Sequence, residues 1–147
     1  MSWWARLAPS DPTDRTRPMP DFPSFRVLVA DDDQEMRTYI RHVLRDAAHV
    51  TEATTGTEAL TLARQTRPDL VIADVRMPYL DGYALCTALH DDAVTATVPV
   101  LLVSGEAAPA ASRASAFLPK PFNASGLRAA VALLLPDGTP PAHPSDL

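Results

Sequence analysis

A doubly wound α/β sheet of five parallel strands in the order 2-1-3-4-5 is the fold class this sequence predicts, and three observations predict it. Between Arg26 and Leu135 short β-branched runs alternate with stretches of helical periodicity, the pattern of parallel strands joined by crossover helices. The strand runs are nearly all apolar, as strands covered on both faces are. Right-handed crossovers among five such units favour the order 2-1-3-4-5, with a ligand site at the carboxyl ends of the first and third strands.

Taken in order, the first strand is RVLVA, Arg26 to Ala30. Three aspartates then lead into an amphipathic helix with Met36, Ile40, Val43, Leu44 and Ala47 on one face and Arg37, Arg41 and Arg45 on another. HVTEA, His49 to Ala53, is the second strand, and the next helix starts at Thr55 or Thr57 with Ala59, Leu62 and Ala63 inward. Pro68 ends that helix and leads into DLVIA, Asp69 to Ala73, the third strand. A helix from Asp81 presents Leu85, Ala88 and Leu89, and PVLLV, Pro99 to Val103, is a fourth strand with its proline at the permitted first position. AFLP, Ala116 to Pro119, is a short fifth. The last helix begins at the N-cap Asn123, buries Leu127, Ala130, Val131 and Leu134, and stops before Pro136 and Gly138. The pattern gives about five helices.

Outside this region the chain is rich in Pro, Asp, Ser and Thr, which predicts a disordered arm over 1–23, one compact domain over 24–136 and a disordered tail over 137–147. Roughly 110 residues suffice for a core that needs no disulfide or structural metal, and leave no room for a second globular domain. The single cysteine, Cys86, has no partner at metal-ligand spacing, which excludes a disulfide framework and a zinc site. A formal charge of −5 argues against direct contact with nucleic acid. No apolar run reaches the length of a membrane span and the MSWWARLAP opening is too short for a signal-peptide core, so the cytoplasm is the expected location.

The chemistry lies at the strand ends. Asp31, Asp32 and Asp33 follow the first strand and Asp74 follows the third. In the 2-1-3 order these loops are neighbours, so at least three carboxylates converge, and like charges so close need neutralising. A hard divalent cation with oxygen ligands does this best, and open positions for water and phosphate suit Mg²⁺. Asp33 is placed as the N-cap of the first helix. Ser104 and Gly105 follow the fourth strand, and Lys120, between Pro119 and Pro121, follows the fifth. A hydroxyl and an ammonium beside a carboxylate and a cation make a site for a tetrahedral dianion.

The segments VLVADDD, DLVIADVRMPYLDG, PVLLVSGE and FLPKPF resemble the successive motifs of the receiver domain of bacterial two-component response regulators, a flavodoxin-like fold, from about Phe25 to Leu135. The resemblance implies that Asp74 is a phosphoacceptor attacking a phosphohistidine on a sensor histidine kinase or histidine phosphotransfer protein. It implies Mg²⁺ bound by Asp31, Asp32, Asp74 and the backbone carbonyl of Arg76. Ser104 stands at the switch hydroxyl position, Phe117 at the switch aromatic position, and Lys120 at the lysine position, followed by a cis bond to Pro121. Phosphorylation would draw Ser104 toward the new oxygens and let Phe117 turn inward, signalling to a downstream protein through surface shape. Gly105 is expected to keep the approach open, since a larger side chain beside Ser104 would crowd the phosphoryl group. A phosphoacceptor of this kind is not an enzyme acting on a diffusible substrate.

The chain departs from the family pattern between the fourth and fifth strands, where GEAAPAASRAS is too short for a full helix. A shortened fourth helix weakens the expectation of the usual dimer or output surface there, and leaves a homodimer open. Arg76 and Glu106, two residues beyond Asp74 and Ser104, are candidates for a lid that hinders the attacking water. Trp3 and Trp4 are either a docking anchor or precede the true start at Met19. The resulting expectation is a single-domain response regulator without an attached output domain. Its rivals are a receiver-fold adaptor that works without phosphorylation and, further behind, a small flavodoxin-like hydrolase. Intact Asp31, Asp32, Asp74, Ser104 and Lys120 argue against the first. The lack of a Gly-rich phosphate loop, and Arg76 where a second catalytic acid would stand, argue against the second.

Overall fold

A computed structural model describes residues 25–106 and 113–135. The arm with Trp3, Trp4 and Met19, the tail, and most of the segment expected to hold the shortened fourth helix lie outside the described residues. The chain runs β1 (Phe25–Ala30), α1 (Gln34–Leu44), β2 (Ala48–Ala53), α2 (Gly56–Thr66), β3 (Leu70–Asp74), α3 (Gly82–His90), β4 (Val100–Ser104), β5 (Ala116–Pro119) and α4 (Ala124–Leu134). All neighbouring strands are parallel, in the order β2-β1-β3-β4-β5.

Strand alternation sorts the core onto two faces. Val27, Val29, Leu70, Ile72, Leu101 and Val103 point to one side, where Ile40, Val43 and Leu44 of α1 and Leu127 and Val131 of α4 cover them. Their neighbours Leu28, Ala30, Val71, Ala73, Val100 and Leu102 point to the other, against Ala59 and Ala63 of α2 and Leu85, Cys86 and Leu89 of α3. Burial on both faces is why these strands read as continuous apolar runs.

Helix starts follow side-chain chemistry. Asp33, Thr55, Asp81 and Asn123 cap α1, α2, α3 and α4, each accepting a hydrogen bond from a backbone N–H of the first turn. Both β3 and β4 begin and end one residue later than their hydrophobic runs predict, so that Asp74 and Ser104 close the strands. The end of α2 is also shifted: Pro68 bars the helical conformation from the residue before it, and Arg67 closes the helix in the left-handed region at φ 48°, its N–H bonded to the Ala63 carbonyl.

Candidate functional site

Register places the strand ends side by side. Ala30 pairs with Ala73, Asp74 with Val103, and Ser104 with Pro119, so Asp31, Asp74, Ser104 and Lys120 stand along one edge of the sheet. Carboxylate oxygens of Asp31, Asp32 and Asp74 lie within 4.8 Å of one another. Lys120 Nζ sits 3.5 Å from Asp74 Oδ2 and 3.8 Å from Asp31 Oδ2.

Each group is held by local structure. The Asp31 N–H donates to the Ala53 carbonyl at 3.0 Å, and Asp31 Oδ1 accepts the Asp33 N–H at 2.9 Å. Burial pushes the Asp31 carboxyl up to about 6; Asp74 and Asp32 add to the rise, while the Asp33 N–H and Lys120 pull it down. Asp32 is exposed and Asp74 half-buried. Ser104 is buried and its Oγ accepts the Glu106 N–H at 3.0 Å, while the Lys120 N–H donates to the Ser104 carbonyl at 2.8 Å. The peptide bond from Lys120 to Pro121 is cis. Phe117 is partly buried against the α2–α3 side of the core.

Beside the carboxylates opens a cleft of about 600 Å³ lined by Asp32, Val75, Arg76, Met77, Pro78, Asp81, Tyr83 and Glu106. The Arg76 guanidinium donates to the Glu106 carboxylate across it, with both side chains well exposed. Among the described residues, its chain neighbours aside, an added Cβ at Gly105 would meet no atom within 4 Å.

Two contributions escaped the sequence. Gly82 lets the start of α3 approach the phosphoacceptor candidate so closely that a Cβ would lie 2.6 Å from the Asp74 carbonyl oxygen. Arg37, placed on a different face from the apolar one, has a side chain only 13% exposed and donates to the Asp31 carbonyl at 2.8 Å and to Glu52 at 3.1 Å. Helical period places a residue on a face but does not say what the neighbouring turn offers it.

The donor set fits a small hard cation: three carboxylates that repel one another, all oxygen, at the rim of a cleft with room for water and phosphate. Among the described residues no helix is long and apolar enough to cross a membrane.

Comparison with known proteins agrees with this geometry. Residues 27–132 match the family described as response regulator receiver domain. The chain is 39% identical over 119 residues to the transcriptional regulatory protein PrrA of Mycobacterium leprae, covering 76% of this chain and 50% of that protein. It is 32% identical over 108 residues to histidine kinase P4 of Formosa agariphila, covering 69% of this chain and 8% of that protein. The chain thus spans at most about half the length of these curated relatives. Among solved structures, the chemotaxis protein CheY4 of Vibrio cholerae superposes with a TM-score of 0.71 at 31% identity, covering 76% of this chain and 98% of that one. With the strand order, the acidic cluster and the match over 27–132 in agreement, the chain belongs to the response regulator receiver domain family.

Proposed function

We propose that Asp74 receives a phosphoryl group from a phosphohistidine on a histidine kinase or histidine phosphotransfer protein, in a Mg²⁺-dependent reaction. The observation that carries this reading is the convergence of Asp31, Asp32 and Asp74 within 4.8 Å under the Lys120 ammonium. Asp31, Asp32, Asp74 and the Arg76 backbone carbonyl would hold Mg²⁺, which when bound offsets the charge on the phosphoryl oxygens.

An Asp74 carboxylate oxygen attacks phosphorus in line, the P–N bond to the imidazole breaks, and the leaving imidazole takes up a proton from solvent; the product is an acyl phosphate on Asp74. Lys120 balances the charge gained at Asp74, and the Ser104 hydroxyl donates to a phosphoryl oxygen. The Ser104 carbonyl already holds the Lys120 N–H, so a shift of Ser104 is transmitted to the β5 end and to Phe117, altering the surface that a downstream protein reads. In this reading Arg76 and Glu106 form a lid over the acyl phosphate. Exposed ion pairs add little to stability, so the pair is better placed to hinder water than to hold the fold. Arg76→Ala and Glu106→Ala each speed dephosphorylation; an unchanged rate in both removes the lid.

Metal dependence is tested by incubating the chain with a small acyl phosphate and following its phosphorylated fraction. Phosphorylation proceeds with Mg²⁺, stops with a chelator, and is lost in Asp31→Asn with Asp32→Asn. Asp33→Asn, which keeps the α1 cap, leaves it intact. Equal phosphorylation with and without Mg²⁺ contradicts the proposal.

A further inference from the structure

We propose that Arg37 is a positioning residue for the cation site, a guanidinium that fixes the turn between β1 and α1 by holding the Asp31 carbonyl and Glu52 at once. The inference rests on the reading that the acidic cluster binds a divalent cation, and adds a residue that touches neither cation nor phosphoryl group.

Four contacts carry it. Arg37 Nη1 donates to the Asp31 carbonyl at 2.8 Å, and Nε donates to Glu52 Oε1 at 3.1 Å. Glu52 is held in turn by Arg41 Nη1 on Oε2 at 3.0 Å. Glu52 lies in β2 opposite Val29, next to Ala53, whose carbonyl accepts the Asp31 N–H at 3.0 Å. The Asp31 backbone is therefore held at its N–H by β2 and at its carbonyl by Arg37. With Oδ1 occupied by the Asp33 N–H, Oδ2 is the oxygen that faces Lys120.

The grip matters because this turn carries two carboxylates that face a third, and their repulsion favours splaying it apart. Cation affinity depends on ligand oxygens being held in place before the ion arrives, and the groups that orient ligands tune it strongly. Arginine suits the task because its planar fork reaches two acceptors in fixed directions, which a lysine ammonium does not. Arg37 and Arg41 against Glu52 also leave one positive charge behind the acidic cluster, which offsets part of the crowding.

A purely structural role, tying α1 to β2, predicts a different pattern from a positioning role. Arg41 shares Glu52 with Arg37, but no bond joins it to Asp31. Mn²⁺ affinity of the full chain, read from free Mn²⁺ by electron paramagnetic resonance, separates the two, with unfolding in chelator recorded alongside. The wild-type chain binds one Mn²⁺ and Asp31→Asn does not. Arg37→Met weakens binding about tenfold, in the range seen when a partner of a metal ligand is removed. Arg37→Lys does not restore it, and Arg41→Met stays within about twofold of wild type.

Wild-type affinity in folded Arg37→Met, or an equal loss in Arg41→Met, overturns the inference while leaving the cation reading intact. Should Arg37→Met not fold, Glu52→Gln is read in its place: weakened binding supports the grip and unchanged binding overturns it. A wild-type chain that binds no Mn²⁺ fails the cation reading itself, and the inference with it.

Discussion

At Gly82 the lack of a side chain decides where the Asp74 backbone sits. A Cβ there would lie 2.6 Å from the Asp74 carbonyl oxygen and 2.9 Å from both Leu102 Cδ2 and Val75 Cα, and the Gly82 N–H donates to the Val75 carbonyl at 2.8 Å. Gly82→Ala must push α3 or the Asp74 backbone aside; overpacking of this kind costs about 1–3 kcal/mol. Urea unfolding is expected to show that loss, with slower phosphorylation of Asp74 by an acyl phosphate donor. Cys86 is the opposite case, a residue with chemistry it does not use. Burial, ahead of Arg113 and Asp81, sets its thiol and pushes it up to about 11. A disulfide reagent at pH 8 should leave folded Cys86 unmodified and label it promptly in urea; prompt labelling of the folded chain contradicts this burial. That Asp31, Asp32, Asp74, Ser104 and Lys120 come together at one edge of the sheet was legible because this architecture places its ligand crevice at the carboxyl ends of the strands. Arg37 and Gly82 were not, since each acts through a contact with a segment distant in the chain or around a turn.

Elements were legible where periodicity and capping agree. In α2, Thr55 Oγ1 accepts the Glu58 N–H at 3.1 Å and Glu58 Oε1 accepts the Thr54 N–H at 3.2 Å, so two backbone donors are satisfied by two side chains. Thr55→Ala is expected to cost about 1 kcal/mol. The other end of α2 is less well matched, because exposed Arg67 takes a left-handed conformation at φ 48° that glycine adopts without a Cβ penalty. Arg67→Gly should stabilise by about 1 kcal/mol, measured by the denaturant midpoint; a lower midpoint contradicts the strain argument. The loop after β3 holds a similar feature that no pattern announces. Leu80 N–H donates to the Pro78 carbonyl at 2.8 Å across Tyr79 at φ 71°, a tight three-residue turn. Gly56 makes room for it, since a Cβ there would lie 2.0 Å from the Leu80 carbonyl oxygen. Turn geometry of this kind follows from packing between α2 and the loop, which sequence spacing does not encode.

The whole molecule joins a stable two-faced core to a rim that is electrostatically crowded. Apolar residues alternate between the α1–α4 side and the α2–α3 side, and this alternation made the fold readable from the strand runs alone. The rim gathers three carboxylates at the carboxyl edge of that sheet, so in the absence of metal the site opposes the fold that builds it. Two consequences follow for thermal unfolding. Mg²⁺ should raise the wild-type melting temperature in a concentration-dependent way, because a ligand that binds only the folded state stabilises it by mass action. Asp31→Asn, with one charge removed, should melt higher than wild type in chelator and no longer respond to Mg²⁺. A wild-type chain indifferent to Mg²⁺ contradicts the first, and an Asp31→Asn chain that melts lower than wild type in chelator contradicts the second.

The central claim is that Asp74 accepts a phosphoryl group, and intact mass after incubation with Mg²⁺ and a small acyl phosphate tests it most directly. The native chain is expected to gain one labile phosphoryl group and Asp74→Asn none. If the native chain gains none with this donor or with a panel of histidine kinases, the account is contradicted and a receiver fold that works without phosphorylation takes its place. An equal gain in Asp74→Asn would instead move the acceptor away from Asp74.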